Sequence, residues 1–295
     1  MMKLNEYLHE AQQKHYAIGH FNFATADVLR AIAEGAKEAG APAVMVGTSE
    51  GEAEFLGMTE AVALVKAMRE ELQFPVFLNA DHFKSFEKCR QAIDAGYDTV
   101  LIDGSKLGYE ENIALVKQVK DYAGDKVAVE GELGYLRGSS EVQRKVEISS
   151  ADYTKPEEAK DFVDRTGVDR LAVVFGNIHG IVTEQEEHLD IEHLKKIVAI
   201  LSVQAGLPAQ TGVPGVPIVL HGASGLVDAE VSAAIRAGVA NVHFNTELRV
   251  AYAKELDREL DKEPLETTPY KYLAPAAAEV KKLVEQKTRM FMSAL

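Results

Sequence analysis

The sequence predicts an α/β protein, a (β/α)8 TIM barrel with an N-terminal helix and a C-terminal helical extension. Two observations carry the prediction. Apolar strand-like runs end near Phe21, Gly47, Ala80, Ile102, Glu132, Phe175, Leu220 and Phe244, with amphipathic stretches between most of them, and eight such units are what the barrel requires. Polar and glycine-rich clusters follow many of these runs, at the strand carboxyl ends where such barrels place their function. The 295 residues fit one large barrel, a single domain over 1–295. The nearest thing to a linker, Gln204 to Gly215, falls just before a strand and is expected at the opposite, structural end.

Leu4 to Lys14 places Leu4, Tyr7, Leu8 and Ala11 on one helical face, expected to plug or flank the barrel bottom. Strand three, Phe74 to Asn79, leads into Asp81-His82, and strand four leads into Asp103-Gly104-Ser105. Strand five carries Glu130 and Glu132 on one side by its two-residue period. Inside a barrel they need a cation, hydrogen-bond donors, or a buried ion pair with a lysine or arginine. Strand six, Leu171 to Phe175, leads into Gly176-Asn177-Ile178-His179-Gly180. The long segments after Glu132 and Phe175 are expected to be extended loops on the functional face.

Strand seven, Ile218 to Leu220, is bounded by Pro217 and Gly222 and reads as buried on both faces. It leads into His221-Gly222-Ala223-Ser224-Gly225, where the glycines let backbone approach an anion and Ser224 offers a hydroxyl. Asp228 is the expected N-cap of a helix over 229–237 that stops at Gly238. Strand eight, Val239 to Phe244, ends in Asn245-Thr246, and the last two strand ends of such a barrel commonly hold phosphate. Beyond Glu247 the chain reads as helical, first through Leu260 and then from Pro275 to Leu295, an arm of the kind that makes subunit contacts.

The formal charge of −14 disfavours nucleic-acid and acidic-membrane partners while leaving room for a local cationic pocket. Cys89 is the one cysteine, so no intramolecular disulfide forms and a reducing, cytoplasmic setting is expected. The first residues lack the apolar run of a signal peptide, and no segment is long and apolar enough to cross a bilayer.

His82, His179 and His221 follow three different strands and would point into one mouth. Three imidazoles with an open fourth position suit a catalytic divalent metal, zinc best of all. Asp103 and Glu132 share the rim and could hold a second divalent or monovalent cation, or orient the histidines. Of the other histidines, His20 and His243 lie at strand positions, whereas His9, His15, His188 and His193 read as solvated.

In these motifs, together with Phe21-Asn22, Glu110-Glu111-Asn112-Ile113 and Asn245-Thr246-Glu247, the chain resembles the class II, metal-dependent ketose-bisphosphate aldolases over nearly its full length. The resemblance implies a lyase cleaving fructose- or tagatose-1,6-bisphosphate to dihydroxyacetone phosphate and an aldehyde such as glyceraldehyde 3-phosphate, and a homodimer or homotetramer. By that resemblance His82, His179 and His221 correspond to zinc ligands, Asp103 and Glu132 to an alternative metal position, and Asp81 to the catalytic aspartate. Asn22, Ser49, Gly180, Gly222, Ser224, Asn245 and Thr246 fall where the family contacts substrate or its phosphate.

Four positions depart from the pattern. Ser140 stands where the family's loop glutamate handles a proton, with Glu141 next to it as the catalytic candidate. His243 replaces an asparagine near the reacting atoms and is carried as a catalytic candidate, and Asn241 replaces a lysine. Tyr270 stands where an arginine meets the second phosphate, with Lys271 beside it. These departures admit a monophosphorylated ketose as substrate, or a sugar-phosphate-binding barrel without lyase activity. A metal-dependent hydrolase lacks its paired first-strand histidines here, and a Schiff-base aldolase lacks a lysine at the end of strand six.

Overall fold

The structure is a computed structural model and describes residues 2–204 and 215–293, so the Gln204 to Gly215 stretch lies outside the described residues except at its two ends. Helix α1 (Leu4–Gln13) opens the chain, and its Leu4, Leu8 and Ala11 meet Ile18, Met45 and Phe77 in an apolar cluster that closes the barrel bottom. There follow β1 (Ile18–Asn22), α2 (Ala26–Glu38), β2 (Val44–Thr48), α3 (Glu50–Leu56), α4 (Met58–Leu72), β3 (Val76–Phe83), α5 (Phe86–Ala95), β4 (Thr99–Ile102), α6 (Tyr109–Ala123) and β5 (Ala128–Leu133). Next come β6 (Gly138–Gln143), α7 (Pro156–Thr166), β7 (Arg170–Val173), β8 (His179–Val182) and α8 (Ile191–Gln204). The chain continues through β9 (Ile218–Leu220), α9 (Asp228–Arg236), β10 (Val239–His243), α10 (Thr246–Lys262) and α11 (Pro269–Met292).

Eight parallel strands close in the order β1-β10-β9-β7-β5-β4-β3-β2, the (β/α)8 barrel that the eight apolar runs predict. Residues such as Phe21, Val46, Leu78, Val129, Leu171 and Leu220 are buried against the surrounding helices. Each contributes roughly 1.5–3 kcal/mol relative to exposure, and that outer layer offsets the cost of the polar groups inside. Successive side chains alternate between the two faces, so His20, Asn79, Glu130 and Asn241 turn inward and form a polar layer above the apolar plug.

Four local expectations need correction. The segments after Glu132 and Phe175 are not bare loops: β6 and β8 pair in a two-stranded parallel sheet, with Gly138 opposite His179. Strand three runs on through Asp81 and His82 to Phe83 instead of stopping at Asn79. Val227, not Asp228, is the cap of α9, and Asp228 is its first residue, where its charge still favours the helix N-terminus. Helix α11 begins at Pro269 and carries Pro275 inside it, because packing along α2 and α10 outweighs the missing N–H.

Candidate active site

The inward glutamates of β5 divide between the two fates open to them. Glu130 is fully buried and ion-paired with equally buried Arg170, whose Nε donates to Oε2 at 2.8 Å. Burial alone would raise the Glu130 carboxyl, but Arg170 and His221 hold it well below the usual carboxylate range. Glu132 instead sits with His82 and Asp103, its Oε2 lying 3.4 Å from His82 Nδ1 without forming a hydrogen bond. Burial and the Asp103 charge push the Glu132 carboxyl up to about 7.

The predicted trio converges. Ligand atoms of His82, His179 and His221 all lie within 4.8 Å of one another. His82 reaches that point from a left-handed backbone, φ 53°, where β3 loses register with β4. Such strain in a residue with a side chain persists where the surrounding structure enforces it, often at functional sites. His179 arrives from β8, held by β6, rather than from the end of β7 itself.

The tautomers follow from the carboxylates. His221 Nε2 is 2.8 Å from Glu130 Oε1 and donates to it, leaving a lone pair on Nδ1. His82 Nδ1 lies 3.3 Å from Asp103 Oδ2 and donates there, leaving a lone pair on Nε2. His82 Nε2 and His221 Nδ1 thus lie 2.8 Å apart, a spacing that requires a proton or a cation between them. The donor set therefore fits a metal such as zinc, with outer carboxylates fixing the ligand rings. Burial lowers His82, yet Asp81, Asp103 and Glu132 raise it to about 10, while burial and the neighbouring imidazoles hold His179 well below 6.5. Asp103, Glu132 and His82 form a second adjoining donor set.

Asp81 stands beside this cluster. Asn22 Nδ2 donates to its Oδ2 at 2.9 Å, and His243 Nδ1 approaches Oδ1 at 3.3 Å. Burial would raise Asp81, but His82, His243 and His20 keep it well below its ordinary value. His243 is itself stacked on His20, ring centroids 3.7 Å apart and planes 12° from parallel, and Nε2 reaches Asn241 Oδ1 at 3.1 Å. Ligating nitrogens bond in the ring plane, and two nearly parallel planes at that spacing share no such point. The close set His20, Asp81 and His243 is thus a polar stack rather than a second metal centre.

Opposite lies a small-residue cradle. Gly222 has φ +69°, and a Cβ there would lie 2.1 Å from the Ile178 carbonyl oxygen, so only glycine fits. Gly180, Ser224, Asn245 and Thr246 line the same cavity of about 290 Å³, with Asn22, Ser49, Asp81 and the three histidines. Asn245 Oδ1 is buried without a partner among the described residues, and Ser140 Oγ sits 3.3 Å from Thr246 Oγ1. The structure leaves the candidate Glu141 and the departing position Tyr270 apart from the cavity. Glu141 is exposed, and Ser139 and Ser140 line the rim in its stead. Tyr270 is 70% exposed and does not line the cavity.

Sequence reasoning missed Glu52, Lys84, Lys106 and Arg249, which also line the cavity. For Glu52 the available signal was its place three residues after Ser49, a capping-box spacing that α3 indeed uses. Arg170 hid within an apolar run, although the buried glutamate opposite called for such a partner.

The sequence pattern of the family described as "Fructose-bisphosphate aldolase class-II" matches residues 2–294. A fructose-bisphosphate aldolase of Staphylococcus aureus (strain Mu50 / ATCC 700699) is 35% identical over 295 residues, covering 99% of this chain and 97% of the relative. One from Staphylococcus epidermidis (strain ATCC 12228 / FDA PCI 1200) is 34% identical with the same coverage. Among solved structures, the YdjI aldolase from Escherichia coli K12 superposes with a TM-score of 0.81 at 29% identity, covering 99% of this chain and 97% of that one.

Proposed function

The chain belongs to the class II fructose-bisphosphate aldolase family, whose members are aldehyde-lyases, and from that premise we propose that it is a zinc-dependent aldolase. It reversibly cleaves a phosphorylated ketose of fructose or tagatose type to dihydroxyacetone phosphate and an aldehyde. The observation that carries this reading is the convergence of three imidazoles, with His82 Nε2 and His221 Nδ1 2.8 Å apart and carboxylates behind both rings.

His82, His179 and His221 would hold the zinc, which would supply Lewis acidity to offset the charge that carbon–carbon cleavage leaves. Asp103 and Glu132 provide an alternative cation position next to it. Asp81 takes the C4 hydroxyl proton as the C3–C4 bond breaks, the electron pair remaining with the dihydroxyacetone phosphate half, and returns that proton in condensation. Asn22 holds one oxygen of Asp81 in place for this, and Oδ1 is left without a hydrogen-bond partner among the described residues. Gly180, Gly222, Ser224, Asn245 and Thr246 receive the phosphate, and Ser49 faces the same space, fixing the reacting bond in register. Glu141, the candidate for the proton at C3, lies outside the cavity, and Ser140 occupies that rim position.

Deuterium exchange into dihydroxyacetone phosphate tests the half-reaction. Exchange should occur with zinc and stop after chelation. Absence of exchange by protein that demonstrably binds zinc and phosphate would leave the sugar-phosphate-binding reading in its place.

A further inference from the structure

We infer that Glu52 is a specificity-determining residue that makes this enzyme join and cleave ketose 1-phosphates in preference to 1,6-bisphosphates, because its carboxylate occupies the aldehyde end of the cavity. The inference rests on the aldolase reading above.

Glu52 Oε2 accepts from the Ser49 N–H at 2.8 Å and from Asn22 Nδ2 at 2.9 Å. The first bond alone is an ordinary helix cap and would leave the carboxylate in solvent. The second turns it into the cavity, and the same Asn22 nitrogen donates to Asp81 at 2.9 Å. One amide nitrogen therefore bridges Glu52 and the proposed base, and both its hydrogens are used. Among the described residues no hydrogen bond reaches Glu52 Oε1, so that oxygen is left for a ligand.

Position gives the group its meaning. The phosphate cradle draws on Gly180 of β8 and on the segments after β9 and β10, whereas Asp81 lies within β3 and Glu52 follows β2, with β1 between β10 and β2. A ketose anchored by its C1 phosphate in the cradle, with its C4 hydroxyl at Asp81, carries its remaining carbons toward Glu52. A carboxylate there accepts bonds from sugar hydroxyls and repels a second phosphate. Among the described residues no ion pair joins Glu52 to a cation. Arg249 donates to the backbone oxygen and hydroxyl of Ser140, and the exposed Lys84 and Lys106 lie on the cavity wall without contacting Glu52.

The test is condensation of dihydroxyacetone phosphate with racemic glyceraldehyde or racemic glyceraldehyde 3-phosphate by the zinc-loaded protein. The native enzyme should favour glyceraldehyde at least tenfold in kcat/KM. Glu52→Gln should erode that preference at least tenfold, and Lys84→Ala should leave the ratio within twofold. Preference of the native enzyme for the phosphorylated aldehyde, or condensation with neither, overturns the inference whether or not Glu52→Gln folds. So does a Glu52→Gln ratio within twofold of native, or tenfold loss of the phosphorylated aldehyde alone in Lys84→Ala. Deuterium exchange by the native protein needs no aldehyde, so failure here with exchange intact leaves the aldolase reading standing.

Discussion

Glu187 shows what an uncompensated carboxyl does at the scale of one residue. It is 9% exposed, neither oxygen has a well-formed partner, and Oε1 lies against Gly225 beside the small-residue cradle. Burial pushes it up from 4.5 to about 7, only partly offset by the Val182 amide. Its folded value lies above the unfolded one, so the folded protein keeps a proton that the unfolded chain releases between about pH 4.5 and 7. Stability from this group is therefore full at the acid end and lost as pH rises through 7. His20 works the other way: burial lowers it to about 4, so its contribution grows from about pH 4 to 6.5. Glu187→Gln isolates the first effect. It should raise stability relative to the native protein at pH 8 more than at pH 5, by on the order of 1 kcal/mol after allowance for partial solvation. Thermal unfolding at the two pH values measures this, and equal gains at both would show that Glu187 is already satisfied in the fold.

At the scale of elements, close helix packing sets the most stringent demand. A Cβ on Gly35 of α2 would come 2.8 Å from the Lys281 carbonyl oxygen of α11, so the glycine that weakens α2 locally is what lets the C-terminal helix lie against it. Gly35→Val should cost about 1–3 kcal/mol by forcing the helices apart, read as a lowered denaturation midpoint; an unchanged midpoint would mean that α11 shifts freely. The sequence made the eight barrel strands legible because each is an apolar run bounded by turn residues. It hid β6 because Gly138 to Gln143 is largely polar and exposed, and strand pairing there comes from β8 rather than from burial. The start of α11 lies at Pro269 rather than at the predicted Pro275, which looks like a first-turn proline in the sequence but sits inside the helix. Among site residues, those flanked by glycine at strand ends could be read directly. Glu52 and Arg170 could not, since their roles depend on partners 30 and 40 positions away.

For the whole molecule, a metal held by the histidine cluster would cross-link distant parts of the chain. His82, His179 and His221 come from β3, β8 and the end of β9, and their carboxylate supports from β4 and β5. In the unfolded chain these donors are dispersed, so zinc held as proposed would bind the folded state and stabilise it by mass action. At a free zinc concentration about a thousand times its dissociation constant the gain is about 4 kcal/mol. At about 2–4 °C per kcal/mol for a large domain, that amounts to a rise in Tm of roughly 10 °C. His221→Ala removes one ligand and also the donor to the buried Glu130 carboxylate, so its metal-free form should be less stable than the metal-free native protein, and each protein's zinc-dependent rise is read against its own metal-free Tm. The variant should lose lyase activity and most of the zinc-dependent rise in Tm together. A zinc titration followed by thermal unfolding on both proteins separates the cases: an equal rise in the two would remove His221 from the ligand set, and a rise in neither would mean that the histidine cluster holds no zinc.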